Sequence, residues 1–153
     1  MRKIAVVAFL CLGLASGCGS VKREDTRAER ALNQSAARFA VETQAQLRRG
    51  QYRRAWRTLH PVEKRVVSAS RLASCYPRND FAGTVTFRAS RAADVTWRVP
   101  GASKSTDAKA VTVTATSPGR PKDTFIQHLV RIDGHWTWML SRKFFEAAKN
   151  GRC

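Results

Sequence analysis

Two residues have the strongest claim to chemistry, His128 and Asp94. Both lie in segments that read as β-strand, and a histidine or aspartate base is what proton abstraction from a small substrate requires. Trp97 and Arg131 stand near them in the chain. Asp80 sits in a turn cluster ahead of the strands, and Tyr52 and Tyr76 belong to a helical half that precedes it. Spacing does not join these groups into a motif, so His128 and Asp94 read first as structural or solvated residues and only second as a base. His60, His128 and His135 are far apart and lack a ligand spacing such as HxxxH, so neither a metal site nor a cofactor is expected. Signatures of serine hydrolases (GxSxG) and of phosphate-binding loops (GxxxxGK[ST]) are missing from the sequence. The expectation is a non-catalytic binding or scaffolding module; an isomerase- or dehydratase-type enzyme is the alternative.

Aromatic and basic residues offer binding chemistry instead. Trp56, Trp136 and Trp138 recur at core-like spacings. Trp97 lies beside Thr96 and Arg98 and just before Pro100-Gly101, where it would line a pocket mouth. With Tyr52 and Arg131 it forms the expected contact set for a small apolar or amphipathic ligand. The chain has 153 residues and carries 28 Lys and Arg against 11 Asp and Glu, a formal charge of +17. Arg48, Arg49, Arg53, Arg54 and Arg57 concentrate around one helix–helix junction and mark an anion-facing surface.

The elements that must position these groups follow from periodicity. Thr26-Arg27-Ala28-Glu29 has the pattern of a capping box, Thr26 being the N-cap. Ala28, Leu32, Ala36, Phe39, Ala40, Thr43 and Leu47 then recur at three- and four-residue steps, which predicts a long helix with one narrow apolar face, stopped at Gly50. Residues 51–59 predict a second helix that buries Tyr52, Ala55, Trp56 and Leu59. Pro61 breaks it and opens a third turn, and Ser68 or Ser70 caps a short helix through Leu72 and Cys75. After the turn cluster at 77–80 the pattern becomes that of strands: 84–87, 94–99, 109–116, 125–132 and 135–141. The last two are joined by Asp133-Gly134, a pair suited to a type I′ hairpin. Phe144 and the residues after it predict a terminal helical turn. Helices followed by a meandering, mostly antiparallel sheet define an α+β domain.

The first residues read as an address. Arg2 and Lys3 precede an apolar run at 4–15 and the small residues Ser16-Gly17, the layout of a secretory signal. Twelve residues of helix span only about 18 Å, short of the ~30 Å hydrocarbon core. Leu14-Ala15-Ser16-Gly17-Cys18 resembles the lipobox of bacterial lipoproteins, although Ala15 stands where leucine is usual, three residues before the cysteine. The resemblance implies cleavage after Gly17, a diacylglycerol on the Cys18 thiol, and a cell-membrane location on the extracytoplasmic side. The expected organisation is a signal at 1–17, a lipidated tether at 18–25 and one domain at 26–153. Export removes nucleic acid from reach. It leaves anionic lipid, wall polymer or an envelope protein as partners for the 26 basic and 11 acidic residues that remain, a balance of +15. Cys11 departs with the signal, which leaves Cys75 and Cys153 in an oxidising compartment. A bridge between them would stabilise by ~4 kcal/mol in the chain-entropy view; two free thiols are the alternative.

The long first helix, the Gly50-Gln51-Tyr52…Ala55-Trp56…Leu59 segment and the Ile132-Asp133-Gly134-His135-Trp136 hairpin resemble the NTF2-like (SnoaL-like) superfamily, in particular its small actinobacterial lipoproteins. That resemblance implies a cone: N-terminal helices packed on a curved sheet, with a pocket at the wide end. Members often dimerise through the sheet, so a homodimer is one arrangement it allows.

Overall fold

A computed structural model describes residues 18–76 and 84–153, the side chains of 18–25 and of residue 91 excluded. The signal expected at 1–17 and the turn cluster with Asp80 lie outside the described residues. Four helices come first: α1 (Cys18–Arg48), α2 (Tyr52–Arg57), α3 (Pro61–Lys64) and α4 (Ala69–Cys75). Strands β1 (Thr86–Trp97), β2 (Thr106–Thr116), β3 (Asp123–Ile132) and β4 (His135–Trp138) follow, and α5 (Arg142–Lys149) closes the chain. The strands pair antiparallel in the order β1-β2-β3-β4. The sheet curls into a half-barrel, and α1 packs against all four strands. No helix among the described residues is long and apolar enough to cross a membrane.

Helix α1 starts earlier than the capping pattern suggests. It runs from Cys18, so Thr26 lies within it and the segment 18–25 is helix, not an irregular tether. Ala36, Ala40, Thr43 and Leu47 are buried on its inner face, as their spacing requires, whereas Ala28 is exposed. Residues 26–31 are all exposed, and burial on this helix begins only at Leu32. The other end obeys its sequence. Gly50 takes φ +71°, its N–H donates to the Leu47 carbonyl, and the Gln51 N–H donates to Gln46. Those two bonds are a Schellman motif, and they satisfy carbonyls that the helix end would leave open.

Helix α2 ends at Arg57, before the expected Leu59. Leu59 instead makes a parallel bridge to Trp138: His60 N–H donates to the Trp138 carbonyl and Trp138 N–H to that of Thr58. Pro61 is the first residue of α3, with the His60 ring accepting from Val62 N–H as its cap. Ser68 caps α4, and Ser141 caps α5 through Phe144 N–H.

The segments expected as separate strands at 84–87 and 94–99 are one long strand, β1, with a register irregularity between Ala89 and Ala92. Such an extra residue bends a strand while keeping its pairing. The β3–β4 hairpin turns on Asp133 (φ +49°) and Gly134 (φ +81°), the two positive angles that a type I′ turn demands. On the inner face Val111, Val113, Leu129 and Trp138 meet α1 and α2 in the main core, which Leu72 and Phe145 complete. A smaller cluster of Val99, Ala108, Val130 and Met139 covers part of the outer face. Trp136 and Trp138 tie the hairpin to the helices, their indole N–H groups donating to Ser35 Oγ and to the Ala55 carbonyl at 3.0 and 2.8 Å. Cys75 and Cys153 are joined as a disulfide, with Cα atoms 4.6 Å apart.

Candidate functional site

The helix stop at Gly50 turns the chain away from the sheet and leaves a gap between the C-terminal end of α1 and the far ends of β1, β2 and β3. This gap is a cavity of about 910 Å³, open on one side to solvent. One wall is aromatic and helical. Tyr52 begins α2, Tyr76 follows α4 and Phe144 lies in the first turn of α5, with ring centroids 6.1 Å apart for Tyr52–Tyr76 and 5.4 Å for Tyr76–Phe144. Tilted ring pairs at these distances are favourable packing. Phe87 and Phe125 contribute from the sheet. Burial pushes the Tyr76 phenol up to about 12, with the neighbouring Tyr52 adding to the effect, so its hydroxyl keeps its proton.

Gln127 is a buried polar group in the cavity wall. It sits opposite Val111 on the inner face of β3, is 4% exposed and lines the cavity. Its Oε1 accepts from Gln44 Nε2 of α1 at 3.1 Å, and its own Nε2 has no partner among the described residues. A buried amide donor without an acceptor costs about 1–3 kcal/mol. At the open side Arg48, Arg49, Arg120 and Asp123 are among the described residues that line the rim.

The residues singled out from sequence fall into three places. Tyr52, Arg48 and Arg49 line the cavity. Arg53, Arg54 and Arg57 are exposed along α2, Arg54 paired with Glu42 at 3.4 Å. The others are remote from it. Asp94 lies on the inner face near the opposite end of the sheet, its carboxylate mostly solvated and 2.7 Å from the ammonium of the buried Lys109. His128 points to the outer face, where it stacks on Trp97 with centroids 3.5 Å apart and planes 13° from parallel. The small Ala108 and Ala110 between them let the indole reach across β2. Burial lowers the His128 pKa below its ordinary value. Asp94 and His128 therefore project from opposite faces and cannot act on one substrate atom. Trp97 belongs to the outer cluster, not to a pocket mouth on the cavity. Arg131 is likewise outside it, donating to the Gly134 carbonyl at 3.0 Å beside a shallow depression at the hairpin. Among the described residues no three His, Cys, Asp or Glu side chains converge as a metal site would require.

Two groups escaped the sequence reading. Gln127 carries no motif; its inward parity in an alternating strand was the available signal. Glu63 is fully buried, and both its oxygens face the Leu140 N–H at 3.2 Å. Burial raises its pKa from an ordinary 4.5 to about 8, against the opposing effect of that hydrogen bond. The signal was a four-residue row, Leu59-Glu63-Val67, in which a carboxylate takes a core position.

Comparison with protein-family models, with curated proteins and with solved structures finds no match to this chain. The functional reading therefore stands on the geometry of the cavity.

Proposed function

We propose that the protein is an extracytoplasmic lipoprotein, anchored by a diacylglycerol on Cys18, whose NTF2-like domain holds a small molecule without transforming it. The observation that carries the binding reading is the cavity at the end of α1, ring-lined, with an unpartnered amide donor in its buried part. It has the volume and the mixed lining of small-molecule sites. The NTF2-like reading is supported by helices that precede a curled antiparallel sheet and leave a cavity between them. The non-catalytic reading is supported by the separation of His128 and Asp94 from the cavity and from each other.

The anchor and the cavity sit at opposite ends of one element. A helix of 31 residues measures roughly 45 Å, with Cys18 at one end and the rim arginines at the other. A surface potential falls off within ~8 Å at physiological salt. The arginines thus feel the anchoring bilayer only when α1 lies flat on it. Upright, they face outward, toward wall polymer or an acidic envelope protein.

Native mass spectrometry of the purified protein tests the binding reading. The expected result is a native mass above the chain mass, with the excess lost on denaturation. A bare native mass from protein produced in its own envelope overturns it. Metabolic labelling with palmitate tests the anchor: incorporation that survives Cys18→Ser would refute lipidation at that residue.

A further inference from the structure

We infer that the cavity takes an uncharged apolar ligand whose buried end accepts a hydrogen bond from Gln127. This rests on the binding reading above and specifies the ligand's chemistry. The body of the ligand follows from the wall. Tyr52, Tyr76 and Phe144 on the helical side, with Phe87 and Phe125 from the sheet, border a space of about 910 Å³, room for a molecule of drug size. The buried part of that wall is Leu47, Gln127, Trp138, Met139 and Leu140, and none of these side chains is ionised. A charged group pushed against them would exchange its hydration for one neutral amide. Arg48 and Arg120 at the open side already have interaction partners within the fold. The rim therefore does not decide the ligand's charge, and the buried wall does.

The polar contact follows from what the fold leaves open. Four buried side-chain polar atoms lack a hydrogen-bond partner among the described residues: Asn33 Oδ1, Gln46 Oε1, Trp97 Nε1 and Gln127 Nε2. Of these residues, Gln127 alone belongs to the described cavity wall. Its Oε1 is taken by Gln44. Neighbouring donors are taken as well, the Trp138 indole by the Ala55 carbonyl and the Leu140 N–H by Glu63. Among its described side chains the buried wall thus presents an open donor and no open acceptor. A carbonyl or ether oxygen would complete it, a hydrocarbon would leave it unmet, and a ligand N–H in its place would set donor against donor.

Three tricyclic probes of nearly one shape test this. Fluorene, fluorenone and carbazole present a hydrocarbon, a carbonyl acceptor and an N–H donor at the same ring position. Equilibrium dialysis against the purified protein gives their affinities, and comparing wild type with Gln127→Leu cancels their unequal hydrophobicity. The fluorenone-to-fluorene affinity ratio is expected to be about tenfold higher in wild type than in the variant, as one hydrogen bond to a buried donor implies. The carbazole-to-fluorene ratio should be no higher. The infrared carbonyl band of fluorenone bound to wild type should lie below its position in alkane solvent and return toward it in the variant. Gln127→Met takes the place of a Gln127→Leu protein that circular dichroism melting shows to be unfolded. An unshifted band in wild type, a fluorenone ratio equal in both proteins, or a carbazole preference that the variant abolishes overturns the acceptor inference and leaves the binding reading standing. Binding of none of the three probes also overturns it, and the native mass then judges the binding reading separately.

Discussion

Replacing Glu63 by glutamine should flatten a pH dependence of stability that the fold builds into its core. The carboxyl is fully buried, and one backbone N–H, that of Leu140, is its hydrogen-bond donor. Its pKa is raised from 4.5 to about 8. The native state therefore holds this proton more tightly than the unfolded chain does. The stabilisation is complete below pH ~4.5 and is lost as pH rises through about 8. At ~1.4 kcal/mol per pKa unit the whole span is worth up to ~5 kcal/mol, and the part between pH 5 and 8 is roughly 3–4 kcal/mol. Glutamine keeps an oxygen for Leu140 and has nothing to titrate. His60 and His128, whose pKa values burial lowers, bend the curve the other way, because the unfolded chain binds their protons more tightly. Both histidines are present in each protein, so the difference between wild type and Glu63→Gln isolates Glu63. Urea unfolding of both at pH 5 and pH 8 is the assay. The expected result is a wild type that loses roughly 3–4 kcal/mol relative to the variant between the two pH values. A difference between the proteins that is the same at pH 5 and pH 8 would refute the reasoning.

Three further outcomes are expected. Cys153→Ser should lower stability by ~4 kcal/mol and wild type under reductant should match it, because the bridge to Cys75 closes a long loop; thermal melts with and without reductant check this. Gly101→Ala should destabilise by at least ~1 kcal/mol, since Gly101 has φ +84° and an added Cβ would lie 3.1 Å from the Phe145 ring; Gly119→Ala, which has a similar φ and open space around it, separates the backbone cost from the clash. The His128 imidazole should titrate below its ordinary 6.5 by NMR, and Trp97→Ala should move it back upward by removing the ring that covers it.

Local signals in the sequence were legible where one residue fixes one backbone geometry. Gly50 as a helix stop, Pro61 as a helix start and Asp133-Gly134 as a hairpin each state their own conformation. What depends on pairing was not legible. Asp94 and His128 look like neighbours in a sheet, and only the register, Asp94 against Lys109 and His128 against Ala110, puts them on opposite faces. The irregularity at Ala89–Ala92 joins two apparent strands into one because the break in alternation is absorbed as a bend. Thr26 has the side chain of a cap but lies within a helix that continues upstream through 18–25. Tyr52 could be tied to a ligand from its type alone, but Gln127 could not, since an amide on a strand acquires meaning only when the fold leaves it unpartnered.

The bend in β1 also bears on self-association. Among the described strands the sheet has two edges, and they are treated differently. That of β4 is only four residues long and is occupied by Leu59, whose neighbours exchange backbone hydrogen bonds with Trp138. That of β1 is twelve residues long, three times the length of β4. A straight strand of that length would template the addition of another chain. The irregularity between Ala89 and Ala92 breaks its hydrogen-bonding groups into two short runs that no flat partner strand can match at once. Wherever copies of the domain meet at high local density, this kink keeps such encounters from becoming a continuous intermolecular sheet.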